Sequence, residues 1–407
     1  MRKLTAFISV FVVLVVSSCG KNEKASVRAM DPDAPEWLYD ETSPVPIGFG
    51  VGTVVSATTK SDYSVEPEGY FTSDSFRYGV LALDQNGDVH PSVNGVEARN
   101  VPTSLIMDGI AGYKTQFVGE LDVNGVEIEK THYYPVKSDK NYTFYAYHIT
   151  NLLRQVYTPD SDNKIGSIGL GDCDIVYAKA EAVEFQGHAG YNAAYIRALM
   201  DYGGAYHYYY LDNSFAPHFQ FEHLTSRFRF WVQAVDEVSG GAYAEETMDG
   251  KVKVTGIKVS NVKKSATLDI MTGSLSGEVN PSDNEFVVNR DAISPFYPKK
   301  EGGFWGDPLF VLPNDILTEP GYVMTLTIEY LNPSTADGGG EWKTAEYTLP
   351  LVNKKVVNEV MTEVPFEAGV SYNFHINLQS YEKIEISTTV TEWEDAPHNP
   401  EDDFIIG

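Results

Sequence analysis

Ile47-Gly48-Phe49-Gly50-Val51-Gly52-Thr53-Val54-Val55 alternates apolar residues with glycine, the period of two that belongs to an extended chain. Drawn as one strand, Ile47, Phe49, Val51, Thr53 and Val55 share a face, and Gly48, Gly50 and Gly52 share the other. Such a strand docks its side chains into a core, while its bare face stays smooth enough to be covered or peeled away. Extended runs follow at residues 76–83, 115–121, 132–136, 142–148, 173–180 and 219–235, enough with the first for one sandwich. Asn86-Gly87 and Asn124-Gly125 lie between such runs and read as hairpin turns, because both residues accept positive φ. A Gly-rich break at Ser239-Gly240-Gly241 precedes a second series at 252–262, 266–271, 285–289, 309–312, 323–330, 345–351, 371–378 and 384–391. Neither half sustains a 3.6 period, and only residues 191–202 (YNAAYIRALMDY) suggest a helix. The expected fold is all-β: two antiparallel β-sandwiches in tandem, over residues 45–238 and 242–407, the second with a C-terminal extension.

Upstream of this region the chain has a different character. Met1-Arg2-Lys3 is a positive n-region, and Ala6 to Val16 (AFISVFVVLVV) is apolar but shorter than the ~20 residues of a spanning helix. Residues 1–18 therefore read as an export signal. The run ends in Val16-Ser17-Ser18-Cys19-Gly20, which resembles the lipobox of bacterial lipoproteins, in which the chain is cut before the cysteine and Cys19 carries the lipid. Residues 19–44 are polar, contain proline and lack any period, as a tether between lipid and fold would. Loss of Arg2 and Lys3 with the signal moves the formal charge from −27 to −29, which argues against a nucleic-acid partner. With Cys19 lipidated, Cys173 is left alone, so no intramolecular disulfide is expected. Asp172-Cys173-Asp174-Ile175-Val176-Tyr177-Ala178 makes that thiol a buried small hydrophobe, its pKa raised by flanking carboxylates.

The nine histidines do not assemble into a metal site. The tightest pair, His218 and His223, stands five residues apart on one expected strand and so points to opposite faces. Asp84-Gln85-Asn86-Gly87-Asp88 and Asp160-Ser161-Asp162-Asn163-Lys164 have the acidic opening of a calcium loop. Both lack glycine at the sixth position and glutamate at the twelfth, and they read as turns. Gly48, Gly50 and Gly52 have the wrong spacing for a dinucleotide loop, and no serine sits in a Gly-x-Ser-x-Gly elbow. Tyr206, Tyr208 and Tyr210 would share a strand face, either as a platform for sugar rings or packed on a neighbouring element. Neither catalysis nor a cofactor is expected.

Several segments in order resemble the fimbrillin family, the pilus subunits and pilus-associated lipoproteins of Bacteroides-like bacteria. They are Tyr133-Tyr134-Pro135 followed by Tyr142-Thr143-Phe144-Tyr145-Ala146-Tyr147, then Asp172 to Ala178, then Phe219-Gln220-Phe221-Glu222-His223-Leu224-Thr225-Ser226-Arg227-Phe228, and the ending Tyr372-Asn373-Phe374-His375-Ile376-Asn377-Leu378 through Val390-Thr391-Glu392-Trp393. The resemblance implies two transthyretin-like Greek-key sandwiches and a precursor that reaches the outer membrane as a palmitate-bearing lipoprotein. It further implies a role in adhesion, other fimbrillin subunits as partners in a homo- or heteropolymer, and an extracellular fimbrium as destination. A maturation protease would cut behind an early basic residue and remove the first strand. A neighbour's C-terminal segment would then fill the groove by β-augmentation.

On these residues the displaced strand would hold Ile47, Phe49, Val51 and Val55, and the cut would follow Lys60 in Ser56-Ala57-Thr58-Thr59-Lys60-Ser61. Arg28 is the other basic candidate, but a cut there leaves the groove filled. The donor would lie between Ile384 and Gly407, with Ile384, Ile386 and Val390 in an alternating strand and Phe404 and Ile406 as anchors on one face. Phe404 to Ile406 could instead pack back on their own domain. The rival class is a surface glycan-binding lipoprotein of a polysaccharide-uptake system. Spaced tryptophans on exposed loops and a tail with no strand character would mark it, and here Trp37, Trp231, Trp305, Trp342 and Trp393 are scattered.

Overall fold

The structure is a computed structural model. It describes residues 36–48, 50–51, 77–107, 110–124, 127–150, 156–202, 219, 221–234, 251–288, 290, 296–314, 319–332, 340–357, 360–378 and 384–392. The chain is built of β-sheets, with one helix longer than a single turn among the described residues, Ala193–Tyr202. That helix begins where Asn192 Oδ1 accepts the Tyr195 N–H at 2.8 Å, an N-cap that starts the helix at Ala193, two residues inside the expected start.

The largest sheet orders its strands Glu222–His223, Ile175–Ala180, Tyr142–Ile149, Arg77–Asp84, Val96–Met107, Ile110–Leu121 and Gly50–Val51. Its central strand, Arg77–Asp84, is buried on both faces, which explains an apolar run where one wet face would have produced alternation. Tyr78, Val80 and Ala82 enter one core, together with Phe144, Val176, Tyr191, Tyr195 and Ile196. Leu81 and Leu83 enter another with Tyr147, Ile175 and Tyr177, and this second core also takes Ala266, Leu268, Ile270 and Leu312 from the C-terminal half. The two halves share a sheet as well as a core: Lys164–Gly169 pairs antiparallel with Ser265–Asp269, which pairs with Ser274–Ser276.

A third core lies between the sheet of Val252–Ser260, Val323–Asn332 and Glu341–Pro350 and the sheet of Ser226–Ala234, Val370–Leu378 and Ile384–Glu392. Phe228 is its hub, with ring centroids of Phe366, Phe374, Tyr322 and Tyr372 at 4.8, 5.0, 5.3 and 5.9 Å. Ser226–Ala234 runs parallel to Val370–Leu378, the only parallel pair among the described strands.

Residues 219–235, expected as one strand ahead of a domain break at 239–241, are two. Glu222–His223 closes the first sheet and Ser226–Ala234 opens the second. The chain changes sheets at Leu224-Thr225, where Leu224 N–H bonds the Ile175 carbonyl at 2.8 Å and Thr225 turns its hydroxyl inward. Strand Ser226–Ala234 therefore belongs with the C-terminal core, some way ahead of the Gly-rich break.

Gly273 shows how the shared core constrains the backbone. It sits at φ +68° in the turn joining Ser265–Asp269 to Ser274–Ser276, and a Cβ there would lie 2.4 Å from Tyr177 Cε1. Tyr177 in turn donates its hydroxyl to the Ile270 carbonyl at 2.9 Å. Gly273→Ala is expected to cost roughly 2–3 kcal/mol, the left-handed strain plus displacement of the ring. Gly87→Ala, at φ +84° with nothing within 4 Å, serves as the strain-only control and should cost about 1 kcal/mol. Equal denaturant midpoints for the two variants would refute this packing argument.

Candidate functional site

The N-terminal segment is docked. Residues 36–44, expected as the end of a tether, form a one-turn helix, Glu36–Tyr39, whose Leu38 is buried in the first core, and a following turn. Asp40 shapes that turn. Its Oδ1 accepts the Thr42 N–H at 2.8 Å and the Thr42 hydroxyl at 2.6 Å, and its Oδ2 accepts the Ser43 hydroxyl at 2.6 Å. Those bonds, Ser43's above all, with the charge of Arg197, hold the carboxyl down to about 2. Val45–Pro46 then pairs with Tyr133–Tyr134, and the Ile47 N–H bonds the His132 carbonyl at 2.8 Å.

The expected single strand over residues 47–55 is broken. Val45–Pro46 belongs to a two-stranded ribbon, Ile47 and Gly48 lie in no strand, and Gly50–Val51 pairs with Lys114 and Tyr113 at one edge of the large sheet. The ribbon stays short because Pro44 and Pro135 flank it without an N–H to extend the ladder. Ile47 is 5 % exposed and Val45 fully buried, so the apolar face of the segment does reach the core. Phe49, Val55, Lys60 and Cys19 lie outside the described residues, as does the tyrosine run at 206–210.

At the other end, Ile384, Ile386 and Val390 lie in Ile384–Glu392, which pairs antiparallel along its whole length with Val370–Leu378. Their partners there are Leu378, Ile376 and Tyr372. This strand is the border of its own sheet, and Phe404 and Ile406 lie outside the described residues.

Both acidic loops are turns. Asp84 Oδ1 accepts the N–H groups of Asn86 and Asp88 at 2.9 and 3.0 Å, and Lys140 pairs with Oδ2 at 2.5 Å. Asp160 Oδ1 accepts those of Asp162 and Lys164, both at 2.9 Å. Among the described residues no group of three or more His, Cys, Asp and Glu could hold a metal. Cys173 is buried with its thiol on the Thr150 carbonyl at 2.7 Å. Burial first, and then Asp174 and Asp172, push its pKa up to about 12.

A cluster that the residue spacing did not reveal sits where the chain changes sheets. Asp174 Oδ2 is 2.6 Å from His223 Nδ1, and Oδ1 accepts the Thr225 hydroxyl at 2.7 Å, with all three residues buried. Burial alone would raise the Asp174 pKa. Attraction to His223, the two hydrogen bonds and attraction to His148 outweigh it and hold the carboxyl below the usual range. The polar residues inside DCDIVYA and HLTS were its visible signal, but nothing local says that segments 49 residues apart meet.

The described first and last strands thus both lie on sheet borders, in an all-β protein that displays strand edges. The chain belongs to the fimbrillin-like family, whose model matches residues 98–393. Among solved structures it is similar to a proposed cell adhesion protein of Bacteroides uniformis, at 15 % identity and TM-score 0.45, covering 86 % of this chain and 98 % of that one. A proposed cell adhesion protein of Parabacteroides distasonis is similar at 9 % identity and TM-score 0.43, covering 88 % and 99 %. The fimbrial anchor protein Mfa2 of Porphyromonas gingivalis is similar at 11 % identity and TM-score 0.34, covering 86 % and 98 %. No curated protein sequence matches the chain.

Proposed function

We propose that this protein is a structural subunit of an extracellular fimbria with a role in adhesion, exported as an outer-membrane lipoprotein through Cys19. Proteolysis after Lys60 removes the segment that holds Ile47 and Val51, and the C-terminal segment of another subunit takes its place. Family membership supports the fimbrial role, and one observation carries the assembly step. Among the described residues, Gly50–Val51 borders the large sheet and pairs there with Lys114 and Tyr113. Its departure re-exposes a strand edge that another chain can satisfy.

The segment from Ile384 to Gly407 contains the donor strand on this reading, with Phe404 and Ile406 as anchors. Each buried anchor is worth roughly 1.5–3 kcal/mol. Deleting residues 394–407 should leave a folded monomer that no longer forms the heat-labile ladder of polymer on a denaturing gel. Normal polymerisation of the truncated chain would place the donor elsewhere, and failure to fold would assign the tail to its own core.

A further inference from the structure

Arg197 projects from the helix Ala193–Tyr202, whose Tyr195, Ile196 and Leu199 are buried in the first core. Its guanidinium grips main chain. Nε donates to the Trp37 carbonyl at 2.9 Å, and one terminal nitrogen donates to the carbonyls of Asp40 and Ser43 at 3.0 and 2.6 Å. These acceptors lie at the C-terminal end of a one-turn helix and in its following turn, where the peptide dipoles favour a cation, and the Asp40 carbonyl also accepts the Ser43 N–H at 3.1 Å. The Asp40 carboxylate is engaged by Thr42 and Ser43, so it folds the turn and presents the carbonyls, while Arg197 reads them. A planar fork with several fixed donors suits three converging oxygens, which a lysine ammonium on a flexible stem does not.

We propose that Arg197 is the latch of the N-terminal segment: it holds residues 37–43 as a shaped clip, keeps Val45 and Ile47 seated downstream, and sets how readily the whole segment departs. The latch rests on the reading that this segment is the one exchanged during assembly. It differs from the strand pairing itself, because the guanidinium bonds the carbonyls of Trp37, Asp40 and Ser43, whereas the strands pair with Tyr133–Tyr134 and with Tyr113 and Lys114. Any chain that replaces the segment must bring oxygen acceptors to the same fork, or leave a part-buried cation without them.

The test is hydrogen exchange on the intact, uncut chain, read at the amides of Ser43 and Ile47, which bond the Asp40 and His132 carbonyls. Arg197→Met should lower protection there by roughly tenfold or more and leave Val252–Ser260, in the far core, unchanged. Arg197→Lys should fall between. Unchanged protection at Ser43 and Ile47 in both variants overturns the latch. If Arg197→Met does not fold, Arg197→Lys decides: loss confined to residues 37–47 supports the latch, and no loss, or loss spread equally over Val252–Ser260, refutes it. Because the chain is uncut, refutation here leaves fimbrial assembly standing, whereas an intact latch in a protein that never polymerises counts against assembly alone.

Discussion

Asp174→Ala is expected to destabilise the protein by about 2–6 kcal/mol, because two buried groups lose the carboxylate they bond. The carboxylate is 2 % exposed and joins three segments: its own strand, His223 on the bordering strand, and Thr225 at the crossing into the second sheet. Removing it deprives the Thr225 hydroxyl and the His223 ring of their acceptor in a place water does not reach, and each orphaned group costs about 1–3 kcal/mol. Asp174→Asn keeps the shape and one acceptor oxygen and should cost about half as much. The change acts where Glu222–His223 gives way to Ser226–Ala234, so both the large sheet and the Phe228 core should lose protection together. Denaturant midpoints measure the effect. A cost under about 1 kcal/mol for Asp174→Ala would mean that the cluster is not what fixes the crossing.

Acid is expected to loosen the fold in two stages, beginning at the N-terminal segment. His90 is buried, with Nδ1 accepting the Ser92 N–H at 3.2 Å and its ring edge-on to Tyr142 at 4.7 Å. Burial, then repulsion from His132 and Lys140, lower its pKa to about 4, a little offset by the Tyr133 backbone. Burial and Lys130 lower His132 too, and burial lowers His148 against the pull of the Arg77 carbonyl and Asp174. Asp84 and Asp88 are the carboxylates nearby, both paired with Lys140.

A histidine whose folded pKa is depressed stays neutral while the unfolded chain takes up a proton. Stability is therefore full above about pH 6.5 and falls as pH drops toward 4. His90 alone accounts for on the order of 3 kcal/mol at the bottom of that window. Asp174, held low in the fold, gives stability that is present above the usual carboxylate range and lost below it, which makes the second stage. His132 carries the carbonyl that holds Ile47, and its neighbours Tyr133 and Tyr134 pair with Pro46 and Val45. Exchange protection at Ile47 should thus fall before that of Val252–Ser260. A melting temperature that stays level from pH 7 to pH 5, or a His90→Gln variant with the same slope as the parent, would count against this account.

What could be read from the residues alone follows burial on one face. Residues 252–262, 323–330 and 371–378 read as strands and were found as Val252–Ser260, Val323–Asn332 and Val370–Leu378, because an alternating pattern is the local imprint of one wet face and one dry one. Val96–Met107 went unread: Arg99, Asn100 and Pro102 interrupt its apolar residues, and its pairing with Ile110–Leu121 supplies what composition lacks. Lys164–Gly169, rich in glycine beside a turn, is a strand only because Ser265–Asp269 from the other half lies against it.

The break in residues 219–235 was equally hidden, since both pieces are apolar and their destinations differ only in space. The sequence by itself determined that the chain is all-β and where most strands lie. The tertiary structure alone decided that Ser226–Ala234 runs parallel to Val370–Leu378, that Asp174 meets His223, and that Arg197 closes on the carbonyls of Trp37, Asp40 and Ser43. The reason is physical. Alternation is imposed residue by residue on an extended backbone. Partnership between distant segments is settled only when all the strands compete to bury their apolar faces and satisfy every buried N–H and C=O at once.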